Sequence, residues 1–376
     1  MNATNPVILE RALSRPPKEA DLPLRGDSVG SDRYTCAEYL KREYHLVWHT
    51  VWNIGGVAYQ MPEAGDYLTT ELGIDSIIMV RQEDGSVRAF FNSCPHRGTR
   101  ITEAEDGHVE EFSCPYHGWT FDSTGACVRI PSRPEGSIPR KAKVQSYAVQ
   151  ESVGLVWVCL EPPAEFPIPS YRPWDDTSFR TVRIPLYDWK SSAARRVENF
   201  VDFSHFPFVH AGVLGDPNKP EIPDHPVRRD AHTISFDLGV EEIPNELKGD
   251  DVGDGPIQRM PSTYTVSMPY SVQLDQPLGD DRHFQLFMAS APLGRKETRT
   301  FSWCSRNYDL DASLDQGFVD FQTVILDQDR LVVESQRPEE LPVDLSEELH
   351  IKGVDQVSIE YRRWLLELAS SFTPGS

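Results

Sequence analysis

The sequence has few basic residues, few cysteines and no long apolar run. Its 376 residues include 37 Lys and Arg against 58 Asp and Glu, which gives a formal net charge of −21. This excess of negative charge repels phosphate backbones and anionic lipid surfaces, so neither nucleic acid nor a membrane is an expected partner. No apolar run approaches the length of about 20 residues that spans a bilayer, and the N-terminus lacks the basic start and apolar stretch of a signal peptide. We therefore expect a cytoplasmic protein.

Cysteine is too sparse for a disulfide framework. In a reducing compartment, a cysteine with a special role is more often a metal ligand. Cys94 and Cys114 stand close to histidines, whereas Cys127 and Cys159 lie outside such motifs and are expected in the core. The six cysteines are Cys36, Cys94, Cys114, Cys127, Cys159 and Cys304.

Three segments of the chain differ in their pattern of polar and apolar residues. Residues 1–45 predict a polar N-terminal arm with a short helix over residues 35–43. Residues 46–160 predict an all-β domain, in which Asp84-Gly85 between two apolar runs indicates a hairpin. A proline-rich linker opens the segment 161–376, whose mixed pattern predicts an α+β arrangement.

The segment 161–376 alternates helical and strand-like patterns. One helix is predicted to contain Glu198 to His205, and two more close the chain. The acidic stretch 241–255 is rich in turn formers and predicts a solvated loop, with a mobile lid over a pocket as the alternative. Strand-like runs cover residues 233–240, 262–272, 283–291 and 298–307.

Cysteine and histidine recur in two short, matched loops. Cys94 and His96 form a C-x-H pair in C-P-H-R-G, and Cys114 and His117 form a C-x2-H pair in C-P-Y-H-G-W. Two thiolates and two imidazoles can bind a tetrahedral zinc or a 2Fe-2S cluster with both histidines on one iron. The ligand set alone leaves both possibilities open.

A second group of metal-ligand types follows in the predicted helix near residue 200. His205 and His210 are five residues apart, and Pro207 between them is predicted to break the helix and turn His210. For a single histidine, a hydrogen-bonded core residue is the simpler interpretation. Two histidines with a distant carboxylate form the triad that binds non-haem Fe(II) and leaves positions for O2.

Helical phase selects the carboxylate. Residues 315–335 predict a helix in which Phe318, Ile325 and Val332 share one apolar stripe. Asp329 falls within about 20° of Phe318 on that wheel, so its carboxylate is aimed into the core. Asp327 falls on the solvated face. A buried ion pair is the alternative to a metal ligand at Asp329.

The two cysteine and histidine loops resemble the cluster-binding loops of Rieske ferredoxin domains almost residue for residue. The resemblance implies that Cys94 and Cys114 hold one iron of a 2Fe-2S cluster and that His96 and His117 hold the other. It also implies an electron supply from NAD(P)H through a ferredoxin or flavin reductase. Tyr116 and Trp119 are expected to shield the cluster from water.

The pattern N-x2-D-x2-H-x4-H, followed by D-x4-E in a late helix, resembles the catalytic domain of Rieske non-haem iron oxygenase terminal components. That domain has a helix-grip type α+β fold with an antiparallel sheet. The resemblance implies that His205, His210 and Asp329 ligate Fe(II) and that Asn199 lies near the metal. Asp202 matches the carboxylate that, in a head-to-tail homotrimer, bridges His205 to a cluster histidine of the neighbouring subunit.

Within this family, the sequence most resembles the homotrimeric monooxygenases that hydroxylate or demethylate small aromatic substrates. Cis-dihydroxylation of an arene is the alternative, and a Rieske electron carrier or a zinc-binding interaction protein are remoter ones. The substrate pocket is expected near Phe206, Val209, Val213 and Leu214. The substrate itself cannot be read from the sequence.

Overall fold

The computed structural model describes residues 49–371 apart from residues 74, 240, 249, 251–256, 295, 342–344 and 346–347. The predicted N-terminal arm and its helix lie outside the described residues. The chain forms two compact units that divide between Ser170 and Tyr171, inside the proline-rich stretch. In the part of the chain that the structure describes, no helix is long and apolar enough to span a bilayer.

The described residues of the first unit form ten strands and one short 3-10 turn over Ala58–Gln60. The strands are β1 (Asn53–Val57), β2 (Asp66–Leu72), β3 (Asp75–Arg81), β4 (Val87–Phe91), β5 (Asp106–His108), β6 (Glu111–Ser113), β7 (Thr120–Asp122), β8 (Cys127–Arg129), β9 (Ser146–Ser152) and β10 (Leu155–Cys159).

All the paired strands of the first unit are antiparallel. Seven form one sheet in the order β1-β10-β9-β4-β3-β2-β5, and three form a second sheet, β6-β7-β8. Strands β3 and β4 pair from Ile77 opposite Phe91 to Arg81 opposite Val87, which confirms the predicted hairpin at Asp84-Gly85. Apolar side chains from both sheets pack into one core beneath the loops that carry Cys94 and Cys114.

In the second unit, the residues that the structure describes form nine strands, five helices and two 3-10 turns over Glu246–Lys248 and Ala312–Leu314. The strands are β11 (Arg180–Trp189), β12 (Arg228–Arg229), β13 (Thr233–Leu238), β14 (Glu241–Glu242), β15 (Ile257–Gln258), β16 (Ser262–Ser267), β17 (Ser271–Gly279), β18 (Arg282–Gly294) and β19 (Glu297–Arg306). The helices are α1 (Arg172–Asp175), α2 (Ala193–Val201), α3 (Phe206–Val209), α4 (Asp315–Val333) and α5 (Gln356–Ser371).

A seven-stranded antiparallel sheet dominates the second unit, in the order β11-β19-β18-β17-β16-β13-β12. Helix α2 packs against the central strands β17 to β19, α4 packs against β11, and α5 packs against β13 and α2. The predicted fold class, an all-β domain followed by an α+β domain with an antiparallel sheet, is confirmed.

Two strand predictions differ from the structure. The run 262–272 is not one strand but the two strands β16 and β17, because Pro269 has no N–H to donate to a ladder and the chain turns there. Strand β11 was not predicted, since Pro185 and the charged residues interrupt its apolar pattern. A register irregularity between Ile184 and Tyr187 accommodates this proline within the sheet.

Candidate metal centres

The first candidate centre is built on two loops of the same shape, one after β4 and one between β6 and β7. In each loop the glycine N–H donates to the carbonyl of the cysteine four residues earlier, Gly98 to Cys94 at 2.8 Å and Gly118 to Cys114 at 2.9 Å. Both glycines have positive φ, 73° and 68°, which side-chain-bearing residues disfavour. The two tight turns therefore present their ligand-type side chains in matched positions.

The predicted ligands of this centre lie in two pairs, because the thiols of Cys94 and Cys114 interact and the rings of His96 and His117 are in contact. Cys94 and Cys114 are each 2% exposed, whereas His96 and His117 are exposed, with ring centroids 4.6 Å apart. Burial raises the pKa of Cys94 and the Cys114 thiol adds to this, while the N–H groups of His96 and Arg97 act in the opposite direction. Two buried thiols beside two exposed imidazoles fit a cluster whose two irons have different ligands.

Aromatic rings pack beside both imidazoles. Trp119 stacks on His96 with ring planes 4° apart and centroids 4.7 Å apart. The ring centroid of Tyr116 lies 3.8 Å from that of His117. Trp119 is half-buried, but Tyr116 is 58% exposed. Trp119 therefore covers one face of the His96 ring, whereas the ring of Tyr116 lies on the surface. Shielding of the cluster from water stays a prediction.

The second candidate centre begins where a helix breaks. Helix α2 ends before Asp202, which is extended with φ −92° and ψ 123° and whose Oδ1 accepts a hydrogen bond from the Ser204 N–H at 2.8 Å. Helix α3 then starts at Phe206. The break thus precedes Pro207, which corrects the predicted continuous helix. Pro207 fits the first turn of α3 because N–H groups there have no helical partner.

The break turns His205 and His210 toward Asp329 of α4. Oδ1 of Asp329 lies 3.3 Å from Nε2 of His205 and 3.1 Å from Nε2 of His210. One ligand atom from each residue lies within 4.8 Å of the others, and His210 and Asp329 are buried. Among the described residues, no other group of three such side chains meets this test. Two imidazoles and one carboxylate fit a mononuclear iron with open positions.

The other nitrogen of each imidazole also faces a polar partner. Nδ1 of His210 lies 2.8 Å from Oε1 of Gln328. Because an amide oxygen only accepts, Nδ1 donates its hydrogen and Nε2 keeps its lone pair for a metal. Nδ1 of His205 lies 3.4 Å from Oδ2 of Asp202, within ion-pair range. Sequence reasoning found Asp202 but missed Gln328, because nothing in the sequence of α4 distinguishes it from other polar residues there.

A buried arginine lies behind the carboxylate of the triad. Nη1 of Arg196 donates to Oδ1 of Asn199 at 2.6 Å, and Nδ2 of Asn199 donates to Oδ1 of Asp329 at 3.2 Å. Nη2 of Arg196 is 3.9 Å from Oδ2 of Asp329. Sequence reasoning missed Arg196, because an arginine three residues before an asparagine is ordinary on a helix and only its tertiary contacts distinguish it.

The charges of the triad are strongly coupled. Burial opposes ionisation of Asp329, but His205, His210 and Arg196 outweigh it and hold the pKa of Asp329 well below its usual range. Burial lowers the pKa of His205, yet hydrogen bonding with Asp202 and Asp329 raises it to about 9. The carboxylates of Asp202 and Asp329 thus stabilise a positive charge at His205, and a divalent metal would supply such a charge.

Helix α4 directs Asp329 into the core, as its phase predicts. Asp327 is exposed and accepts a hydrogen bond from the hydroxyl of Tyr187. The predicted apolar stripe is displaced by one residue, since Val332 is 42% exposed and Val333 is buried. Adjacent valines make the sequence compatible with either face, and packing selects Val333.

An apolar cavity adjoins the triad. Phe206 and Leu214 line it as predicted, whereas Val209 lines a separate groove and Val213 lines neither. Most of its wall is aromatic or aliphatic, with contributions from Phe200, Tyr264, Phe284, Leu286, Phe321 and Ile325. A flat, largely apolar molecule fits such a wall.

Part of the acidic stretch 241–255 belongs to the cavity wall. Glu242 accepts hydrogen bonds from Lys248 at 2.7 Å, Arg259 at 2.9 Å and Gln276 at 2.9 Å. Glu242 and Lys248 are buried and line the cavity. The prediction of a solvated loop is wrong for these two residues, because opposite charges that neutralise each other can be buried together. Residues 249 and 251–255 of the stretch lie outside the described residues.

A polar groove reaches the triad from another side. The groove and the cavity share Asn199, His205 and Asp329 as wall residues. The side chain of Asp202 is 38% exposed and lines the groove. At its rim Leu349 is 91% exposed.

A network of buried ion pairs joins α5 to α2 beside this groove. Arg362 donates to both oxygens of Glu198 at 2.6 and 2.7 Å. Glu348 accepts hydrogen bonds from Arg362 at 2.6 Å and from Arg195 at 2.6 and 3.1 Å. Each of these guanidinium groups therefore has a carboxylate in direct contact.

Comparison with known proteins agrees with both centres. Residues 51–148 match the model of the Rieske [2Fe-2S] domain, and residues 189–371 match that of the vanillate O-demethylase oxygenase C-terminal domain. The methylxanthine N1-demethylase NdmA of Pseudomonas putida is 33% identical over 344 residues, which are 89% of this chain and 92% of the relative. The chain belongs to the Rieske non-haem iron oxygenases. A solved structure of NdmA with caffeine has a TM-score of 0.73 at 30% identity, covering 89% of this chain and 93% of that one.

Two further relatives are similar over less of the chain or at lower identity. The benzene 1,2-dioxygenase subunit alpha of Pseudomonas putida is 34% identical over 152 residues, 38% of this chain and 34% of the relative. Dicamba monooxygenase bound to dicamba has a TM-score of 0.69 at 20% identity, covering 86% of this chain and 98% of that one, which shows a common fold.

As a Rieske oxygenase, the chain is a terminal oxygenase component that uses a 2Fe-2S cluster and a mononuclear iron, with electrons from a reductase. This membership sets aside the alternatives of a Rieske electron carrier and a zinc-binding interaction protein.

Proposed function

We propose that the chain is an oxidative N- or O-demethylase of a small, flat, largely apolar aromatic compound. The observation that carries the proposal is the His205, His210 and Asp329 triad at one wall of an aromatic-lined cavity. The similarity to an N-demethylase across 89% of the chain supports an N-methyl substrate, and the C-terminal family model, named for an O-demethylase, supports an O-methyl substrate.

In this proposal His205, His210 and Asp329 hold the mononuclear iron, which supplies O2 activation when bound. Gln328 fixes the tautomer of His210, and Asn199 orients Asp329 by donating to Oδ1. The cavity wall excludes water and holds the substrate with its methyl group toward the triad.

Cys94 and Cys114 are proposed to hold one iron of the cluster, and His96 and His117 the other. The buried position of both thiols and the exposed position of both imidazoles support this division. Exposed imidazoles place the histidine-bound side of the cluster where a partner surface can reach it.

The net reaction consumes O2, two electrons and two protons. One oxygen atom is inserted into a methyl C–H bond, and the other leaves as water. The resulting hydroxymethyl group on nitrogen or oxygen then breaks at the bond between carbon and heteroatom. Formaldehyde leaves, and the heteroatom keeps the proton.

Isotope labelling tests this reaction with N-methylated purines and aromatic methyl ethers as candidate substrates. Under ¹⁸O₂, demethylation releases the label in formaldehyde and water. The aromatic product carries no label, because the heteroatom of the substrate stays in place. Two labelled oxygen atoms in the ring product would instead identify cis-dihydroxylation, the alternative that the similarity to a benzene dioxygenase subunit supports.

We also propose that the protein works in the cytoplasm as a head-to-tail homotrimer that receives electrons from a ferredoxin or flavin reductase. Asp202 contacts His205, whose side chain is 11% exposed, while its own side chain is 38% exposed and lines the groove. The rim residue Leu349 and its sequence neighbour Ile351 are 91% and 57% exposed, as expected of a surface that another subunit covers. The Rieske face of a neighbouring subunit, with its exposed His117, is the proposed occupant.

A further inference from the structure

Arg196 is a buried cation without a carboxylate in direct contact. Among the described arginines that are buried, the other four each donate to a carboxylate oxygen at 3.0 Å or less; these are Arg195, Arg259, Arg306 and Arg362. The nearest carboxylate oxygen to Arg196 is Oδ2 of Asp329 at 3.9 Å, although Arg196 is only 3% exposed. Burying a charge without close compensation costs free energy, so packing alone does not account for this arginine.

The hydrogen bonds of Arg196 determine the orientation of Asn199. A guanidinium group has only donors, so the atom that Asn199 turns toward Arg196 must be its oxygen. The Asn199 amide nitrogen then points at Oδ1 of Asp329, at 3.2 Å. With its oxygen held by Arg196, Asn199 offers the metal position an N–H donor and no ligand atom.

Arg196 also distinguishes the two oxygens of Asp329. Oδ1 faces both histidines, at 3.3 and 3.1 Å, whereas Oδ2 faces the guanidinium group. The guanidinium plane is itself fixed, because it lies over the ring of Trp189 at 4.7 Å and Nη2 contacts Sδ of Met288 at 3.3 Å. The Asp329 carboxylate is therefore held with Oδ1 toward the two histidines and Oδ2 toward Arg196.

We propose that Arg196 is a positioning residue of the mononuclear iron site, which selects Oδ1 of Asp329 as the metal-facing oxygen and places a fixed positive charge beside the metal. This inference rests on the proposed iron ligands. A nearby positive charge favours the ferrous over the ferric state, because the ferrous state carries less charge. A carboxylate restrained to one oxygen leaves more of the coordination sphere to O2 and substrate.

Two substitutions separate the charge of Arg196 from its geometry. Arg196→Met removes both and packs against Met288 and Trp189, whereas Arg196→Lys keeps the charge but loses the planar fork. Arg330→Met is the matched control, because Arg330 follows Asp329 directly on α4 but is exposed. Each protein is prepared with its Rieske cluster, whose visible spectrum reports folding, and is loaded with Fe(II).

The readouts are the EPR signal of the nitric oxide adduct of the ferrous site and the midpoint potential of the mononuclear iron. We expect Arg196→Met to lower the potential and to change the EPR line shape, Arg196→Lys to change the line shape only, and Arg330→Met to change neither. If Arg196→Met folds poorly, the Arg196→Lys line shape carries the test. Turnover should fall by about 10- to 100-fold in Arg196→Met.

A wild-type potential and line shape in both Arg196 variants would overturn the proposal. The same measurement on Asp329→Ala distinguishes this failure from a failure of the iron assignment. Persistence of the wild-type adduct in Asp329→Ala would refute the proposed ligands themselves, whereas its loss there, together with unchanged Arg196 variants, would refute only the role of Arg196.

Discussion

Asp327 and Asp329 are two residues apart on one helix and have opposite surroundings. We expect Asp329→Ala to lose the mononuclear iron and keep the cluster, which lowers the iron content from about three to about two atoms per chain. Asp327→Ala should keep all three, because Asp327 contacts Tyr187 on the surface. Iron analysis together with the cluster absorbance measures both. Loss of one iron from the Asp327 variant alone would contradict the triad.

Asp202 is the residue between His205 and the groove, and its charge is the feature to test. Asp202→Asn keeps the size of the side chain but removes the negative charge, so the amide cannot accept hydrogen bonds from imidazole N–H groups on both sides. We expect both metals to be retained and the cluster to be reduced normally, while single-turnover oxidation of the cluster slows by about 10- to 100-fold or more. Stopped-flow absorbance measures this rate, and a wild-type rate would argue against electron transfer through Asp202.

Among the residues of the two candidate centres, the sequence could predict those that belong to a short motif or to the apolar stripe of one helix. The two cysteine and histidine loops are complete short motifs, and Asp329 follows from helical phase because an aspartate in an apolar stripe is conspicuous. Arg196 and Gln328 could not be singled out in the same way. Arginine and glutamine are ordinary helix residues, and only the tertiary contacts to Asn199 and His210 distinguish them.

The next scale is that of the elements, where the two cluster loops depend on glycines with positive φ. We expect Gly98→Ala and Gly118→Ala each to destabilise by about 1–2 kcal/mol through left-handed strain. Gly118→Ala should be the worse of the two, because its added Cβ would lie 3.1 Å from Cγ of Pro131, whereas at Gly98 the nearest atom is 3.9 Å away.

The measurement is the temperature at which the visible absorption of the cluster is lost. Gly85→Ala is the control, since Gly85 has φ of 82° in the β3–β4 hairpin and nothing within 4 Å of an added Cβ. It should lower stability through strain without altering the cluster spectrum. Equal behaviour of the Gly98 and Gly118 variants would show that the contact with Pro131 relaxes freely.

Elements with a strong period could be predicted, and elements whose pattern is interrupted could not. Helix α4 and the β3–β4 hairpin have uninterrupted apolar periods. Strand β11 contains Pro185, and the run 262–272 conceals a turn at Pro269, so local pattern favoured the wrong interpretation. The burial of Glu242 with Lys248 also depends on hydrogen bonds from Arg259 and Gln276. A pattern of polar residues alone predicts a solvated loop there.

At the scale of the whole molecule, the proposed trimer predicts complementation between subunits. A Cys94→Ser chain lacks the cluster, and an Asp329→Ala chain lacks the mononuclear iron. When the two are co-assembled, the cluster of one subunit can serve the iron site of its neighbour, so we expect part of the activity to return. Activity of verified mixed oligomers measures this, with each variant alone as control. Mixed trimers without activity would contradict electron transfer between subunits.

The order of a cluster domain before a catalytic domain could be predicted because each has its own motif in its own stretch of sequence. The partners that complete the assembly could not be derived from spacing or phase. Only the resemblance suggested a trimer. The exposure of Leu349 at the rim of the groove could be recognised only from the structure.

The apolar cavity and the polar groove are separated by three residues that line both of them, Asn199, His205 and Asp329. The proposed substrate side and the proposed electron-receiving side therefore have few residues in common. Exchanges among Phe200, Tyr264 or Leu286 can adapt the cavity to another methylated compound without touching the groove. Mutation can thus explore new substrates while the same reductase continues to serve the enzyme, which favours rapid diversification of its chemistry.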